Sequence, residues 1–269
     1  MVAGSDKGVP HMIICNAKTG QLSNKLCVAS HALALAIERK ETIVFTELDF
    51  AKEFYRCTPP PEIRVIIKKS WFWWLERQTI ERIVHWIVGK MPPATGTRNR
   101  CLRLFGLTIV SGWTQLRVVE SRRKYHDAIC LFFHPRFLDE RKGIVESILS
   151  PTKPNVGIHI RRRDYRIWLG GKYFFGDEVY ARIMRHLQSE VDAHFIIFHD
   201  EPVEMMHYKG FDCVCSNGTP VEDHWLMSKC DYLIGPPSTF TGWAGFYGNV
   251  PVATIETPNQ VIMLKDFKV

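Results

Sequence analysis

The sequence predicts an α/β protein of two domains, each built on a parallel sheet. Short apolar runs rich in β-branched residues alternate with segments of helical apolar spacing over much of the 269 residues. Several of these runs end in polar or charged residues, as strands do at the ligand-binding edge of an open sheet. Residues 150–154 contain two prolines and no apolar pattern. We therefore predict a boundary there, which gives domains 11–150 and 151–269.

The composition limits the classes of partner and compartment. Hydrophobic residues make up 46% and charged residues 23% of the chain, as in ordinary globular proteins. The net charge of +7 favours an anionic partner, which could be a nucleotide, a nucleic acid or an anionic membrane surface. No apolar run approaches the roughly 20 residues of a membrane span. With no signal-peptide pattern and cysteines scattered through apparent core segments, we expect a cytoplasmic protein with reduced thiols.

The first elements form a strand–loop–helix–strand unit. We predict a strand at 12–17, a polar loop at 18–23, a helix at 24–40 and a strand at 41–48. Gly20 in the loop would let the backbone approach a ligand, and the helix start offers free N–H groups. Because the loop is not Gly-X-Gly-X-X-Gly, this pattern alone is a weak sign of nucleotide binding.

The segment from 50 to 97 is less regular. The aromatic run at 71–74 begins an apolar segment of helical spacing that extends to 90, and we interpret it as a helix packed on the N-terminal domain. The alternative is an acceptor-binding or membrane-facing surface, because aromatic residues beside basic ones suit carbohydrates and bilayer interfaces. Further on, we predict one or two strands within 102–119, a strand at 128–133 and a helix at 135–149 that begins at proline.

The second half alternates strands and helices more regularly. Strands are predicted at 155–160, 194–199, 211–215, 232–235 and 251–255, and helices at 178–191, 221–229 and 238–247. This spacing implies parallel strands joined by crossover helices. The carboxyl ends of these strands should therefore converge at one edge of the sheet.

One of these strand ends carries a basic cluster. The apolar strand at 155–160 stops at Arg161, Arg162 and Arg163, which Asp164 follows. Guanidinium groups match phosphate oxygens two at a time, and Asp164 is close enough in sequence to hold one of them in place. This favours a phosphate-bearing ligand. The alternative is a surface Arg–Asp cluster that caps the strand.

Four stretches together resemble a known family. His159–Tyr165 resembles the His-X-Arg-Arg-X-Asp motif of fucosyltransferases that make α1,2, α1,6 and protein O-fucose linkages. Residues 222–231 resemble the family's Asp-X-X-X-Met-Ser helix, and 237–243 its Ser-Thr-Phe-X-X-Trp motif. Residues 20–26 resemble its N-terminal Gly-X-X-X-Asn loop. The motifs keep the family order, although residues 50–130 contribute almost nothing, and the resemblance is closest to the bacterial α1,2-fucosyltransferases.

The resemblance implies a GT-B-type glycosyltransferase with two Rossmann-like domains whose parallel sheets face each other across a cleft. The C-terminal domain would bind GDP-fucose and the N-terminal domain the glycan acceptor. Fucose would be transferred with inversion, giving an α1,2 linkage to galactose, without any cofactor besides the donor substrate. The acceptor would be a surface polysaccharide or a lipid-linked glycan, and the enzyme could contact the inner membrane face peripherally.

The resemblance also implies roles for individual residues. Arg161 would contact the β-phosphate, and Asp164 would fix its geometry; these two form the catalytic set. Asp223 would accept hydrogen bonds from the guanine edge. The remaining nucleotide-binding positions are His159 and Arg162 of the first motif, Asp200 at a further strand end, the phosphate-binding Ser238, Thr239 and Phe240, and Gly20 and Asn24 on the N-terminal side.

Three questions stay open at this point. The general base that deprotonates the acceptor could be Glu47, Asp49 or Asp164, and His159 is a further alternative. The chain contains no Asp-X-Asp, the usual carboxylate pair of metal–nucleotide sites, so we expect metal-independent transfer and no metal ligands. The rival functions are transfer from another nucleotide sugar and non-catalytic binding of nucleotides or nucleic acids.

Overall fold

The structure is a computed structural model, which describes residues 11–16, 20–49, 51–68, 107–111 and 119–268. The chain divides into two compact units, Met1–Arg136 and Phe137–Val269. Each unit contains one parallel sheet. The predicted α/β class, with a parallel sheet in each half of the chain, is thereby confirmed.

The first unit has a four-stranded sheet in the order β3-β2-β1-β4. Its strands are β1 (Met12–Asn16), β2 (Thr42–Phe45), β3 (Val65–Ile67) and β4 (Leu107–Ser111). Helix α1 (Leu22–Arg39) connects β1 to β2 and buries a stripe of small and aliphatic residues, and Lys40 ends it in the left-handed conformation. The predicted strand–loop–helix–strand unit is therefore confirmed for its described residues.

Three short helices complete the described part of this unit: α2 (Ala51–Phe54), α3 (Val119–Lys124) and α4 (His126–Phe132). The prediction of a strand at 128–133 is wrong, because α4 occupies this run. Phe132 packs on Phe45 with ring centroids 6.0 Å apart, and Phe133 packs edge-on against Tyr55. A short apolar run fits a buried strand and a buried helix equally well, so periodicity could not decide between them.

The second unit has a five-stranded parallel sheet in the order β7-β6-β5-β8-β9. Its strands are β5 (Asn155–Ile160), β6 (His194–His199), β7 (Cys213–Cys215), β8 (Tyr232–Gly235) and β9 (Val252–Thr254), and its helices are α5 (Leu138–Glu146), α6 (Asp177–Gln188), α7 (Pro220–Met227) and α8 (Thr239–Gly248). The chain moves outward in one direction through β5, β6 and β7, and in the other through β8 and β9. The order in which the chain adds strands therefore reverses between β5 and β8, and we call this point the direction change of the sheet. Ligands bind at such points in open α/β sheets.

Both faces of this second sheet are buried. On one face Ile158 and Ile160 join the aliphatic stripe of α6, while on the other Ile196 and Phe198 pack with residues of α5, α7 and α8. All six residues of β5 are buried. This double burial explains why the strands read as continuous apolar runs in the sequence.

The unit boundary differs from the predicted one. Helix α5 belongs to the second unit, since Glu146 accepts a hydrogen bond of 2.8 Å from the Trp225 indole of α7 and Arg141 pairs with Glu222 at 2.8 Å. Residues 150–154 lie in the loop between α5 and β5. The Asn155 side chain stabilises this loop, because it accepts the Ser150 N–H and donates to the Ser150 carbonyl. The proline-rich stretch therefore marks a turn inside the second unit, and the boundary falls at Arg136.

Two further observations concern the described helices and cysteines. None of the described helices is long and apolar enough to cross a membrane. Each cysteine that the structure describes is free. The predicted aromatic helix that begins at 71–74 lies outside the described residues.

Candidate functional site

The carboxyl ends of β5 and β8 lie side by side at the direction change of the second sheet. β5 pairs with β8 through Ile158 and Ile234, so the residues after each strand emerge at the same edge. Ser238 begins α8 directly after β8, and its hydroxyl accepts the Phe240 N–H at 3.1 Å. The sequence motifs at Arg161 and Ser238 thus meet at one sheet edge, as predicted. We call the residues that follow β5 and β8 the donor edge.

Arg161 is held at the donor edge by two carboxylates. Its Nη2 lies 2.8 Å from Asp164 and its Nε lies 3.3 Å from Asp200. The Arg161 side chain keeps only 16% of its surface exposed, whereas Asp164 is 55% exposed. Because two fixed partners set its direction, the guanidinium is preorganised for an anion at this edge. The expected orienting role of Asp164 fits this geometry.

Asp200 links two neighbouring strand ends. It follows β6, which pairs with β5 up to Ile160 and His199. One Asp200 oxygen accepts the backbone N–H of Arg162 at 2.8 Å while the other faces the Arg161 guanidinium. Asp200 therefore holds the backbone turn after β5 and orients the Arg161 guanidinium.

Arg162 points away from the donor edge, whereas the resemblance implied that it binds the nucleotide. The side chain is buried, donates to the Phe175 carbonyl and pairs with Asp177 at 2.7 Å. Side chains of successive residues in extended chain alternate between opposite sides, so Arg161 and Arg162 diverge. Burial would raise the pKa of Asp177, but hydrogen bonds from Arg162, Tyr208 and the Glu204 N–H hold that pKa below its usual range.

Tyr165 is a residue of this edge that sequence reasoning missed. The Arg161 guanidinium lies 5.8 Å from the centre of the Tyr165 ring. The Tyr165 hydroxyl donates to the carbonyl of Pro237, which follows β8. This side chain therefore connects the two strand ends beneath Arg161. Its position directly after the arginine motif was the available signal.

His159 is buried and packs behind the donor edge. Its Nδ1 lies 2.8 Å from the Thr241 hydroxyl, and its ring stacks on Phe240 at 5.1 Å. His224 of α7 packs on Phe240 at 4.0 Å. Burial, with Arg161 nearby, lowers the pKa of His159 to about 3. His159 is therefore neutral at pH 7 and is a poor candidate for the general base.

Asp223 occupies the first turn of α7, after β7 at the carboxyl side of the same sheet. The Ser216 hydroxyl donates to its Oδ1, and its Oδ2 has no hydrogen-bond partner among the residues that the structure describes. Burial raises the pKa of Asp223 to about 7, and the Glu222 charge adds to this effect. The charge of the Asp223 carboxyl group therefore changes with pH near neutrality.

Gly20 and Asn24 lie together in the first unit, at the start of α1. Gly20 has φ +47°, in the left-handed region that favours glycine, and a Cβ on it would lie 2.1 Å from the Asn24 amide nitrogen, so a larger residue would be strained and would displace the Asn24 side chain. The two possible bases Glu47 and Asp49 follow β2 in the same unit. Their participation in donor or acceptor binding stays a prediction, as does that of Ser238, Thr239 and Phe240 in phosphate binding.

Comparisons with known proteins concern the fold of the chain. No family model matches the sequence, and no curated protein matches it significantly. NodZ α-1,6-fucosyltransferase soaked with GDP-fucose superposes with a TM-score of 0.58 and 16% identity over 93% of this chain and 97% of that one; another NodZ structure names Bradyrhizobium as the source. A variant of Arabidopsis thaliana FUT1 in complex with GDP gives 0.62 and 9% over 99% of this chain and 74% of that one.

A third solved structure, POFUT1 in complex with GDP, gives a TM-score of 0.54 and 12% identity over 95% of this chain and 98% of that one. At these identities the likeness concerns the fold. The chain therefore has the GT-B-type fold of structures that include fucosyltransferases, built from two Rossmann-like units with parallel sheets.

Proposed function

We propose that this protein is an inverting fucosyltransferase that moves fucose from GDP-fucose to a hydroxyl of a glycan acceptor. The observation that carries the proposal is the orientation of Arg161 by Asp164 and Asp200 at the direction change of the second sheet. NodZ, whose fold this chain shares, was crystallised and soaked with GDP-fucose. A preorganised guanidinium at this position suits the diphosphate of such a donor.

In this reaction the bond between fucose C1 and the β-phosphate oxygen breaks while the acceptor oxygen attacks C1 from the opposite side and gives its proton to a general base. Negative charge then grows on the departing diphosphate. Arg161 would stabilise that charge, and the N-terminus of α8 at Ser238 would add the positive end of a helix dipole. Asp164 and Asp200 would keep the guanidinium in place as the charge develops.

The guanidinium would take the place of a metal ion in stabilising the leaving group. This rests on the absence of Asp-X-Asp from the sequence together with the position of Arg161. We propose accordingly that no cofactor is needed besides the donor substrate. Turnover should be unchanged in a molar excess of EDTA, measured as GDP released in the presence of acceptor. A loss of turnover that added Mn²⁺ restores would contradict this prediction.

Asp223 would recognise guanine by accepting its N1–H and exocyclic N–H₂ groups, which requires the ionised carboxylate. Because burial raises the pKa of Asp223 to about 7, the group is protonated below that pH and ionised above it. GDP should therefore bind roughly tenfold more tightly at about pH 8 than at about pH 6, as measured by calorimetry.

Two controls isolate this dependence on pH. Asp223→Asn should remove the tenfold difference in GDP affinity, since the amide does not titrate. Any pH dependence that comes from the phosphates of GDP remains in this variant. ADP binding reports the phosphate contribution alone in the wild type. Equal pH dependence of GDP binding in wild type and Asp223→Asn would show that Asp223 does not contact guanine.

The acceptor and compartment form the finer part of the proposal. We propose transfer to galactose in an α1,2 linkage, with the acceptor sugar bound by the first unit and the reaction on the cytoplasmic side of a membrane. The motif resemblance favours α1,2, whereas NodZ is named an α-1,6-fucosyltransferase. Nuclear magnetic resonance of the purified product would distinguish the two linkages.

The decisive experiment is a hydrolysis and transfer screen across nucleotide sugars. Fucose released or transferred from GDP-fucose, with GDP-mannose and UDP-galactose inactive, supports the proposal. Activity with another donor alone would identify a different transferase. Binding of GDP that RNA displaces, with no turnover of any donor, would instead identify a non-catalytic nucleic-acid-binding protein.

A further inference from the structure

Directly after the arginine motif the chain exposes three consecutive apolar side chains. Ile167, Trp168 and Leu169 keep 82%, 41% and 62% of their surfaces exposed. Such residues are usually buried, and contiguous exposed ones mark contact surfaces. We refer to these three residues as the 167–169 turn.

The turn has a defined shape. The Trp168 ring packs against Tyr165 and Tyr173, with centroids 4.9 and 5.6 Å away. The Ile167 carbonyl accepts the N–H of residue 170 at 3.1 Å. Leu169 has φ +50°, a conformation that is costly for leucine and much easier for asparagine or glycine. Folding of the turn therefore does not account for a leucine at this position.

The turn adjoins the donor edge. Trp168 packs on Tyr165, and the Tyr165 ring lies under the Arg161 guanidinium at 5.8 Å. In the proposed transfer, the acceptor hydroxyl must reach the carbon that is bonded to the β-phosphate oxygen. Trp168 is therefore one aromatic ring away from Arg161, and an acceptor that approaches the donor from this side would contact the turn.

The chemistry of the turn indicates which part of an acceptor it would contact. Its three side chains offer a single hydrogen-bonding group, the indole N–H, whereas a sugar presents several hydroxyls that need partners. Ile167 and Leu169 are highly exposed, and a hydrocarbon that covers them would lower the free energy by removing apolar surface from water. We propose that the 167–169 turn binds the apolar aglycone of an amphiphilic glycoside acceptor. This inference rests on the proposed fucosyl transfer.

The test compares two glycosides that differ only in their aglycone. Octyl and methyl β-D-galactopyranoside are titrated into the full chain by calorimetry, below the critical micelle concentration and both with and without GDP. The wild type should bind the octyl glycoside at least about tenfold more tightly, since burial of roughly two of the added methylene groups on the turn is enough for that difference. The double variant Ile167→Thr, Leu169→Asn should lose this preference, while its affinities for methyl galactoside and GDP stay unchanged.

Ile144→Thr is the matched control, because Ile144 is a 67% exposed isoleucine on α5 of the same unit. It should keep the octyl preference, and circular dichroism should report native folding for both variants. An octyl preference that is absent from the wild type, or retained in the double variant, overturns the inference.

A third arm tests the bilayer as an alternative occupant. Vesicles of phosphatidylcholine and phosphatidylglycerol are offered to the same variants. Vesicle binding that the double variant loses, in a protein with no octyl preference, would assign the turn to a lipid surface and overturn the acceptor subsite. Since glycosides are also titrated without nucleotide, a chain that fails to bind GDP would contradict the proposed function separately.

Discussion

Arg161→Lys should lower kcat for fucosyl transfer by about tenfold to a hundredfold, the range expected when a charge-assisted hydrogen bond worth roughly 1.5–3 kcal/mol is lost. Lysine keeps the positive charge but lacks the planar fork that Asp164 and Asp200 hold from two directions. The contact strengthens as charge moves onto the leaving diphosphate, so the loss should appear in kcat more than in KM. Arg161→Ala should reduce kcat further and also weaken GDP binding.

Arg163→Ala is the matched control for this prediction. Arg163 belongs to the same basic run but is exposed, and it forms no ion pair with any residue that the structure describes. Its removal should leave kcat nearly unchanged. Steady-state kinetics and GDP calorimetry measure both effects. Equal losses of kcat in folded Arg161→Ala and Arg163→Ala would refute the phosphate-contact role of Arg161.

Asp177→Ala should lower the free energy of unfolding by about 3–5 kcal/mol, since removal of one partner from a buried pair leaves an uncompensated charge. Both partners are buried: the side chains of Arg162 and Asp177 are 9% and 6% exposed. Asp177 also accepts a hydrogen bond of 2.6 Å from the Tyr208 hydroxyl, so the substitution leaves a second buried polar group without this partner. Urea denaturation of wild type and variant gives the difference.

The more accessible pair of Arg166 and Glu201, whose side chains are 56% and 26% exposed, provides the comparison. Glu201→Ala should cost no more than about 1 kcal/mol, because solvent screens such a pair. The folded-state pKa of Asp177 is depressed, so its stabilisation is present above the unfolded pKa of about 3.9 and is lost as pH falls through the folded value. If Asp177→Ala and Glu201→Ala lower the free energy of unfolding by similar amounts, the Arg162–Asp177 pair is not a buried ion pair.

Much of the donor edge could be predicted from local pattern. β5 is buried on both faces, which makes it a continuous apolar run, and the strand end therefore coincides with the first arginine. Parallel strands bring their carboxyl ends to one edge, so the meeting of Arg161, Asp200 and Ser238 near that edge followed from the alternation of strands and helices. The order of motifs similarly indicated a fucosyltransferase-like fold before any comparison of structures.

Other features depended on contacts between distant residues. The apolar run at 128–133 became helix because Phe45 and Tyr55 supply its packing partners. The unit boundary moved to Arg136 because α5 packs against α7, which lies some eighty residues further along the chain. Neither partner can be identified from the segment itself.

The sequence by itself therefore determined the parallel α/β architecture and the position of the arginine motif at a strand end, since both follow from the periods of side-chain burial. Only the tertiary structure decided what each arginine does. Arg161 remains at the edge between two carboxylates, whereas Arg162 turns inward to Asp177. Two adjacent arginines thus have opposite environments, because successive side chains of extended chain point to opposite sides. Residues distant in the sequence then supply the partners of each one.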